Sequence, residues 1–298
     1  MGLLKELLTP WESFRRIKRL ETKVAALATD LQETRQDLLF TAGQAAAHSQ
    51  PQDLQTINAA EFRVFSQFGE DGIIQFLVRK LDKRMPKTFV EFGVQHYLES
   101  NTLFLMMHNG WTGFVIDGEP TYTAGINERG LDWKYGLKAK CEFVSRDNIN
   151  RIFQEEGYGA ELGLLSIDVD GIDWHLWNAL TVVRPAIVVM EYNRNFPHDR
   201  PITVPYEPAF DRISAHASRW YFGTSLKALD VLAREKGYTF VGAESHKRNA
   251  FFVRDDLIDG LPCDQIGPQH VDVDPQVVML RLAGMPVFDA ATKTPAVI

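Results

Sequence analysis

Between residues 20 and 38 the apolar positions Leu20, Val24, Leu27, Leu31 and Leu38 recur in alternating steps of four and three, with Thr34 filling the remaining place and polar or charged residues between them. This is a heptad seam. It predicts a long N-terminal coiled-coil helix that pairs with a second copy or packs on its own domain. From Gly43 to Gln55 the chain is rich in Ala, Gln, Ser and Pro without apolar period, which reads as a linker around Pro51. Past Ile57 the period changes. Ile73, Ile74, Leu77, Val78 and Leu81 mark a helix, and short apolar runs at 88–92, 113–117, 142–144, 164–168 and 186–191 mark five strands separated by helical stretches. That alternation predicts an α/β fold with a doubly wound, mostly parallel sheet. The expected organisation is an N-terminal helix and linker over 1–50, an α/β domain over 57–256 and a C-terminal extension over 257–298.

Composition narrows the partners more than the fold. The 298 residues carry a formal net charge of -7, so nucleic acid is not expected as a partner. Cys141 and Cys263 stand far apart without metal-ligand spacing, which points to a reducing, cytoplasmic setting. Lys5 and Glu6 interrupt the first apolar stretch, and Glu6 stands where a myristoylation signal after Gly2 needs Ser or Thr. Neither a leader nor a lipid anchor is therefore expected. Arg15, Arg16, Lys18 and Arg19, interleaved with Phe14 and Ile17, form a basic face suited to peripheral contact with an anionic membrane surface, or to solvent.

The chemistry is expected at the carboxyl ends of the strands, where open α/β sheets bind their ligands. Glu91 ends the first strand and Gly93 follows in the turn, where a missing Cβ lets a backbone approach a ligand; the segment Ser100-Asn101-Thr102 then opens the next helix. Asp117 ends the second strand and is suited to accept from both hydroxyls of a ribose; Glu119, two residues on, is its rival. Neither a G-x-G-x-x-G nor a P-loop motif is present, which argues against dinucleotide and P-loop sites. Ser166-Ile167-Asp168-Val169-Asp170-Gly171-Ile172-Asp173 and Glu191-Tyr192-Asn193 gather oxygen ligands at two further strand ends. Asp168, Asp170, Glu191 and Asn193 compose a candidate site for magnesium or manganese, while Asp173 also suits a helix cap. An EF-hand is excluded, because Trp174-His175-Leu176-Trp177 follows without the closing Glu.

Together these segments resemble the FkbM-like branch of class I S-adenosylmethionine-dependent methyltransferases over roughly residues 62 to 256. The resemblance rests on Ser66-Gln67-Phe68-Gly69-Glu70-Asp71, Phe89-Val90-Glu91-Phe92-Gly93, Asn101-Thr102, Val115-Ile116-Asp117-Gly118, the Asp168 segment, Glu191-Tyr192-Asn193, Gly223-Thr224-Ser225-Leu226 and Asn249-Ala250-Phe251-Phe252-Val253. The sequence departs from the familiar glycine-rich loop at Val94-Gln95-His96-Tyr97, where a second glycine is missing. The resemblance implies a Rossmann-like methyltransferase fold and S-adenosylmethionine as cofactor. Glu91, Gly93 and Asn101 would hold its methionine portion, Asp117 its ribose, Asp147 and Asn148 the surroundings of its adenine, and Gln67 would close the pocket. It further implies transfer to a sugar hydroxyl of a glycan or glycolipid, with Asp168 beside the methyl group.

A hydroxyl acceptor needs help in losing its proton, so the candidates for that task are a metal at the acids or a base such as Asp168, His175 or His198. An aromatic loop from Tyr192 to Tyr206, with Trp220-Tyr221-Phe222, is the candidate sugar wall. The N-terminal helix suits homo-oligomerisation, or docking to a membrane-bound assembly enzyme. Two competing readings explain part of the pattern. One is a non-catalytic oligomeric scaffold with a methyltransferase-like fold; the other is a metal-dependent glycosyltransferase using Asp168-x-Asp170, which leaves Glu91, Gly93 and Asp117 without a role.

Overall fold

The computed structural model describes residues 10–267 and 274–298; Gly2, Lys5 and Glu6 lie outside the described residues. Ten strands form: β1 (Thr88–Phe92), β2 (Thr112–Asp117), β3 (Leu137–Cys141), β4 (Glu161–Ile167), β5 (Arg184–Glu191), β6 (Ile202–Thr203), β7 (Tyr238–Ala243), β8 (Asn249–Arg254), β9 (Pro286–Asp289) and β10 (Thr294–Val297). Seven of them make one sheet in the order β3-β2-β1-β4-β5-β8-β7, parallel except for β8, which runs antiparallel to both neighbours. This is the expected doubly wound, mostly parallel, Rossmann-like sheet. The order reverses between β1 and β4, so the two halves diverge there and leave a crevice at the carboxyl ends of the strands.

The central strands are apolar on both faces because helices cover both. Phe89, Val115, Leu164 and Val189 point into one core with α2 (Glu70–Leu81) and α3 (Leu103–Asn109), whereas Val90, Ile116, Leu165 and Met190 point into the other. The second core is closed by α6 (Ile149–Glu155), α7 (Asp173–Ala179) and α9 (Leu226–Lys236), which contribute Phe153, Trp177 and Leu229. The short helices α4 (Pro120–Glu128), α5 (Leu131–Tyr135) and α8 (Arg212–Ala215) line the connections. Residues 286–297 pair with β6 in a small antiparallel sheet. With α10 (Pro275–Arg281) they bury Val278, Leu282 and Val287 against Phe196, Ile202 and Tyr221.

Two expectations need correction. The third strand is 137–141, ahead of the apolar 142–144; as an edge strand it carries Lys138 and Lys140, so it lacks the apolar run that marks its neighbours. The supposed linker from Gly43 is helical as far as Ser49, so that α1 (Pro10–Ser49) is one helix of 40 residues. Alanines favour that helix, and Gly43 lets it touch the domain: a Cβ there would stand 2.2 Å from Val64. Phe40 adds ring contacts with Phe65 and Phe104. Among the described residues no helix is long and apolar enough to cross a membrane.

The segment before α2 is held by one carboxylate. The buried Asp71 Oδ2 accepts from the backbone N–H groups of Val64, Phe65 and Ser66 and from the Ser66 hydroxyl, all at 2.7–2.8 Å. Burial pushes its pKa up to about 6, against the lowering effect of those donors. Replacing Asp71 by Ala strands three buried N–H groups. Asp71→Ala is expected to lower stability by about 3 kcal/mol in denaturant unfolding, and a loss below about 1 kcal/mol would contradict this anchoring role.

Candidate active site

Four neighbouring strands, β2, β1, β4 and β5, carry Asp117 at the end, Glu91 one residue before the end, Asp168 just past the end at Ile167, and Glu191 at the end. Each carboxylate is fixed differently. Glu91 is buried and accepts from the N–H groups of Asn101 and Thr102 and from the Thr102 hydroxyl, so it ties the start of α3 to the sheet; burial raises its pKa. Asn101 in turn donates to the Ser166 hydroxyl at 3.1 Å. Asp117 accepts from Gln95 N–H (2.7 Å) through one oxygen and from Glu119 N–H (2.9 Å) through the other, which leaves a further lone pair on each. Glu119 is not its equal. It caps α4 by accepting from the N–H and hydroxyl of Thr121.

The turn after β1 explains the missing glycine. Gly93 has φ of 76°, and a Cβ there would lie 1.6 Å from the Asp168 carbonyl oxygen, so β1 and β4 meet at this point with no room for a side chain. Gln95 itself adopts φ of 47° and Tyr97 φ of 53°. The left-handed turn is thus made without a second glycine, and the Gln95 N–H bonded to Asp117 helps to hold it.

Asp168, Asp170 and Glu191 place carboxylate oxygens within 4.8 Å of one another. Burial, then the mutual repulsion of the neighbouring acids, raises the pKa of Asp168 well above the ordinary carboxylate range; Glu191 is raised for the same reasons, relieved by Arg212. The Asp168 and Glu191 carboxyls lie within hydrogen-bonding reach of each other. Asp173 sits behind them and accepts from Val169 and Gly171 N–H, fixing the loop that carries Asp170, whose φ is 57°. The nearest cation is Arg212 in α8. Its guanidinium lies 3.5 Å above the Phe222 ring, donates to Asp170 at 2.6 Å and stands 3.9 Å from Glu191.

Two cavities open at these strand ends. One, of about 600 Å³, is bordered by Asp117 and by the apolar surfaces of Ile116, Phe143, Val144, Val169 and Phe210. The other, of about 360 Å³, is polar and is bordered by Gln67, Glu91, Asn101, Glu191, Arg212 and Arg248. Gly93, Gln95, Asp168 and Asp170 line both, so the cavities join at the contact between β1 and β4.

Of the residues singled out in the sequence, Gln67, Glu91, Gly93, Asn101, Asp117, Asp168, Asp170 and Glu191 all border this pair of cavities. The others do not. Asp147 is an exposed partner of Arg146, and Asn148 is occupied with Ser145 N–H and the Phe143 carbonyl, shaping the loop from behind. Asn193 is buried, donates to the Trp220 and Phe222 carbonyls and accepts from Asn195 N–H, so it braces a loop. His175 is packed between Trp174, Tyr206 and Phe288; its Nε2 donates to the Val204 carbonyl and burial lowers its pKa, which removes it from the site. His198 borders neither cavity. The expected aromatic wall is core instead, since Tyr192, Phe196, Tyr221 and Phe222 are all buried. Sequence reasoning missed Phe143, an aromatic ring 79% exposed beside Gly118, as well as Arg212 and Arg248. Phe143 lies two residues past the end of β3 and was hidden by the reading of 142–144 as the strand itself.

No protein-family model matches the sequence, and no curated protein matches it. Solved structures share the architecture. The CurJ carbon methyltransferase aligns over 63% of this chain and 55% of its own, at 10% identity and a TM-score of 0.40. For an S-adenosylmethionine-dependent methyltransferase from Clostridium acetobutylicum the values are 62%, 90%, 7% and 0.38. For PKMT2 from Rickettsia typhi, in complex with AdoHcy, they are 60%, 52%, 12% and 0.39. This chain therefore spans little more than half of the first and third of these proteins, and the likeness is one of fold alone.

The raised pKa of Asp168 fixes a sign. Folding favours its protonated form, so the stability this group contributes is full below the unfolded carboxylate range and is lost as pH rises through the folded value. Asp168→Asn, which cannot ionise, is expected to melt higher than the wild type near pH 8, with the gap closing toward about pH 4, in thermal unfolding across that range. A variant less stable at the alkaline end would refute the raised pKa of Asp168.

Proposed function

We propose that the chain is a cytoplasmic S-adenosylmethionine-dependent O-methyltransferase of the FkbM-like kind, acting on a sugar hydroxyl of a glycan or glycolipid. The observation that carries this reading is the junction of an apolar, nucleoside-sized cavity with a polar, acid-lined one at Gly93 and Asp168. Cavities of this size suit small cofactors. Phe143, Val144 and Ile116 offer flat apolar surface to a base, and Asp117 offers two acceptor oxygens to a ribose. Gln67, Glu91 and Asn101 border the space for the amino-acid end. When bound, the cofactor supplies an electrophilic methyl group on a sulfonium sulfur.

The chain's own residues then have to seat the acceptor and take its proton. Gln67, Glu99, Ser100, Arg248 and Asn249 border the polar cavity, a lining suited to a polyhydroxylated acceptor. An acceptor hydroxyl at the junction would lie beside Asp168, which, once ionised by the positive charge of the bound cofactor, would take its proton as the hydroxyl oxygen receives the methyl group. A carboxylate whose pKa is raised by burial is a better base at neutral pH than an exposed one. The triad also fits a hard divalent cation in chemistry and spacing: all its donors are carboxylate oxygens, and the guanidinium of Arg212 already sits against Asp170 as a positive charge. Asp168, Asp170 and Glu191 would hold magnesium or manganese, which would supply Lewis-acid charge to the hydroxyl.

Calorimetry with S-adenosylhomocysteine, with and without magnesium or manganese, tests the reading. Wild-type binding is expected, with Asp117→Ala weakening it by about 10- to 100-fold through the loss of charge-assisted hydrogen bonds to the ribose. Absence of binding under all conditions would reject a methyltransferase. Binding of a nucleotide sugar in its place would select a glycosyltransferase.

A further inference from the structure

The face that α1 shows to its own domain is not the face that carries the heptad seam. With Ile17, Val24, Leu31 and Leu38 at a and Leu20, Leu27 and Thr34 at d, every described α1 residue from 20 onward that is not exposed falls at b, c or f: Gln36, Leu39, Phe40, Gly43, Ala46 and Ala47. The domain therefore sits behind the helix and leaves the seam clear. Leu20, Val24, Leu27, Leu31 and Leu38 are 54–71% exposed, and Ile17 is 54% exposed. Six large apolar side chains lined up in water along about 33 Å of helix form a surface made for a partner.

We infer that this seam is the interface of a parallel, in-register, two-stranded coiled coil with a second copy of the chain. Two features of α1 select that occupant and that orientation, and a third is compatible with them. The seam is self-complementary at heptad spacing, so a second copy fits without further adaptation. The β-branched residues Ile17 and Val24 occupy a while Leu20 and Leu27 occupy d, the choice that favours parallel dimers. In a parallel dimer each g position faces the e position five residues on in its partner. That places Arg16 against the partner's Glu21 and Asp30 against the partner's Arg35, while Lys23 and Asp37 meet Ala28 and Ala42 of the partner. Each of the two charged combinations occurs twice by symmetry, and no like charges meet. Since the domains are attached at b, c and f, pairing sets them on opposite outer sides at the same end of the rod.

Sedimentation of the full chain tests this. The wild type is expected at twice the 33.8 kDa of one chain, and Val24→Glu combined with Leu31→Glu is expected to give a monomer with an unchanged melting transition of the domain, because neither residue touches it. A wild type that is monomeric at every concentration, or a variant that remains dimeric, overturns the proposal. Orientation is read from charge and from crosslinking. Glu21→Arg is expected to weaken dimerisation roughly three- to tenfold, and adding Arg16→Glu to restore it. An antiparallel pair sets Arg16 against Asp37 of the partner, so the double variant would then be weaker still. In a Cys141→Ser, Cys263→Ser background, Leu20→Cys is expected to oxidise to a covalent dimer, since an antiparallel pair would set position 20 opposite position 33 of the partner; failure to crosslink while dimeric overturns the parallel register.

Discussion

Negative charge gathered at one edge of the sheet is the constraint around which the rest of this structure is arranged. Four adjacent strands deliver carboxylates to the same crevice, and burying like charges so close together is unfavourable unless each is compensated. The compensation differs from strand to strand. Glu91 receives two backbone N–H groups and a hydroxyl, Asp117 two N–H groups, and Asp173 two more from the loop before it. These donors are the turns that follow the strands. Satisfying the acids therefore shapes the loops, and the loops bound the cavities. Asp168 and Glu191 lack such a set of backbone donors among the described contacts; burial and mutual repulsion raise the pKa of both, and Asp168 stands where the cavities meet.

The contact between Gly93 and the Asp168 carbonyl couples this electrostatic arrangement to the backbone. Any side chain at position 93 would push β1 and β4 apart at the point where the sheet order reverses, and with them the two cavities. Gln95 shows how little of a glycine-rich loop needs to be glycine. A non-glycine residue can hold a left-handed conformation when its N–H has a strong acceptor, and the Asp117 carboxylate is that acceptor. The side chain that the substitution adds borders both cavities.

What could be read from the sequence followed from what the strands dictate. An apolar run fixes a strand, the strand fixes where its last residue emerges, and so the pattern of apolar positions alone places Glu91, Asp117, Asp168 and Glu191 at one edge of the sheet. Positions that depend on how a loop turns were not accessible in this way. Asp147, Asn148 and Asn193 each follow a strand end by a few residues, but their side chains turn back to brace backbone groups or pair with a neighbour, a choice made by local bonding needs that no periodicity records. His175 lies inside the first turn of α7 and is carried into the core by the Trp residues around it. Arg212 was invisible for the opposite reason. It comes from a four-residue helix 21 positions after Glu191, and only the stacking on Phe222 brings it back to the acids. The third strand escaped because an edge strand with two lysines has no apolar signature.

The position of Arg212 bears on how the acids reach their working state. A single guanidinium hydrogen-bonded to the exposed Asp170 and 3.9 Å from Glu191 offsets less charge than three carboxylates carry, and burial and mutual repulsion raise the pKa of both Asp168 and Glu191. Any positive charge brought to this point, whether a divalent cation or a cationic centre in a bound molecule, lowers the affinity of that pair for its proton. The proton would then leave as the positive group arrives, and Asp168 would become an acceptor at the moment the crevice is filled. A site of this kind disfavours the charged form of its buried acids, which lessens the repulsion between Asp168 and Glu191, and gains the charged form from the binding energy of what it receives.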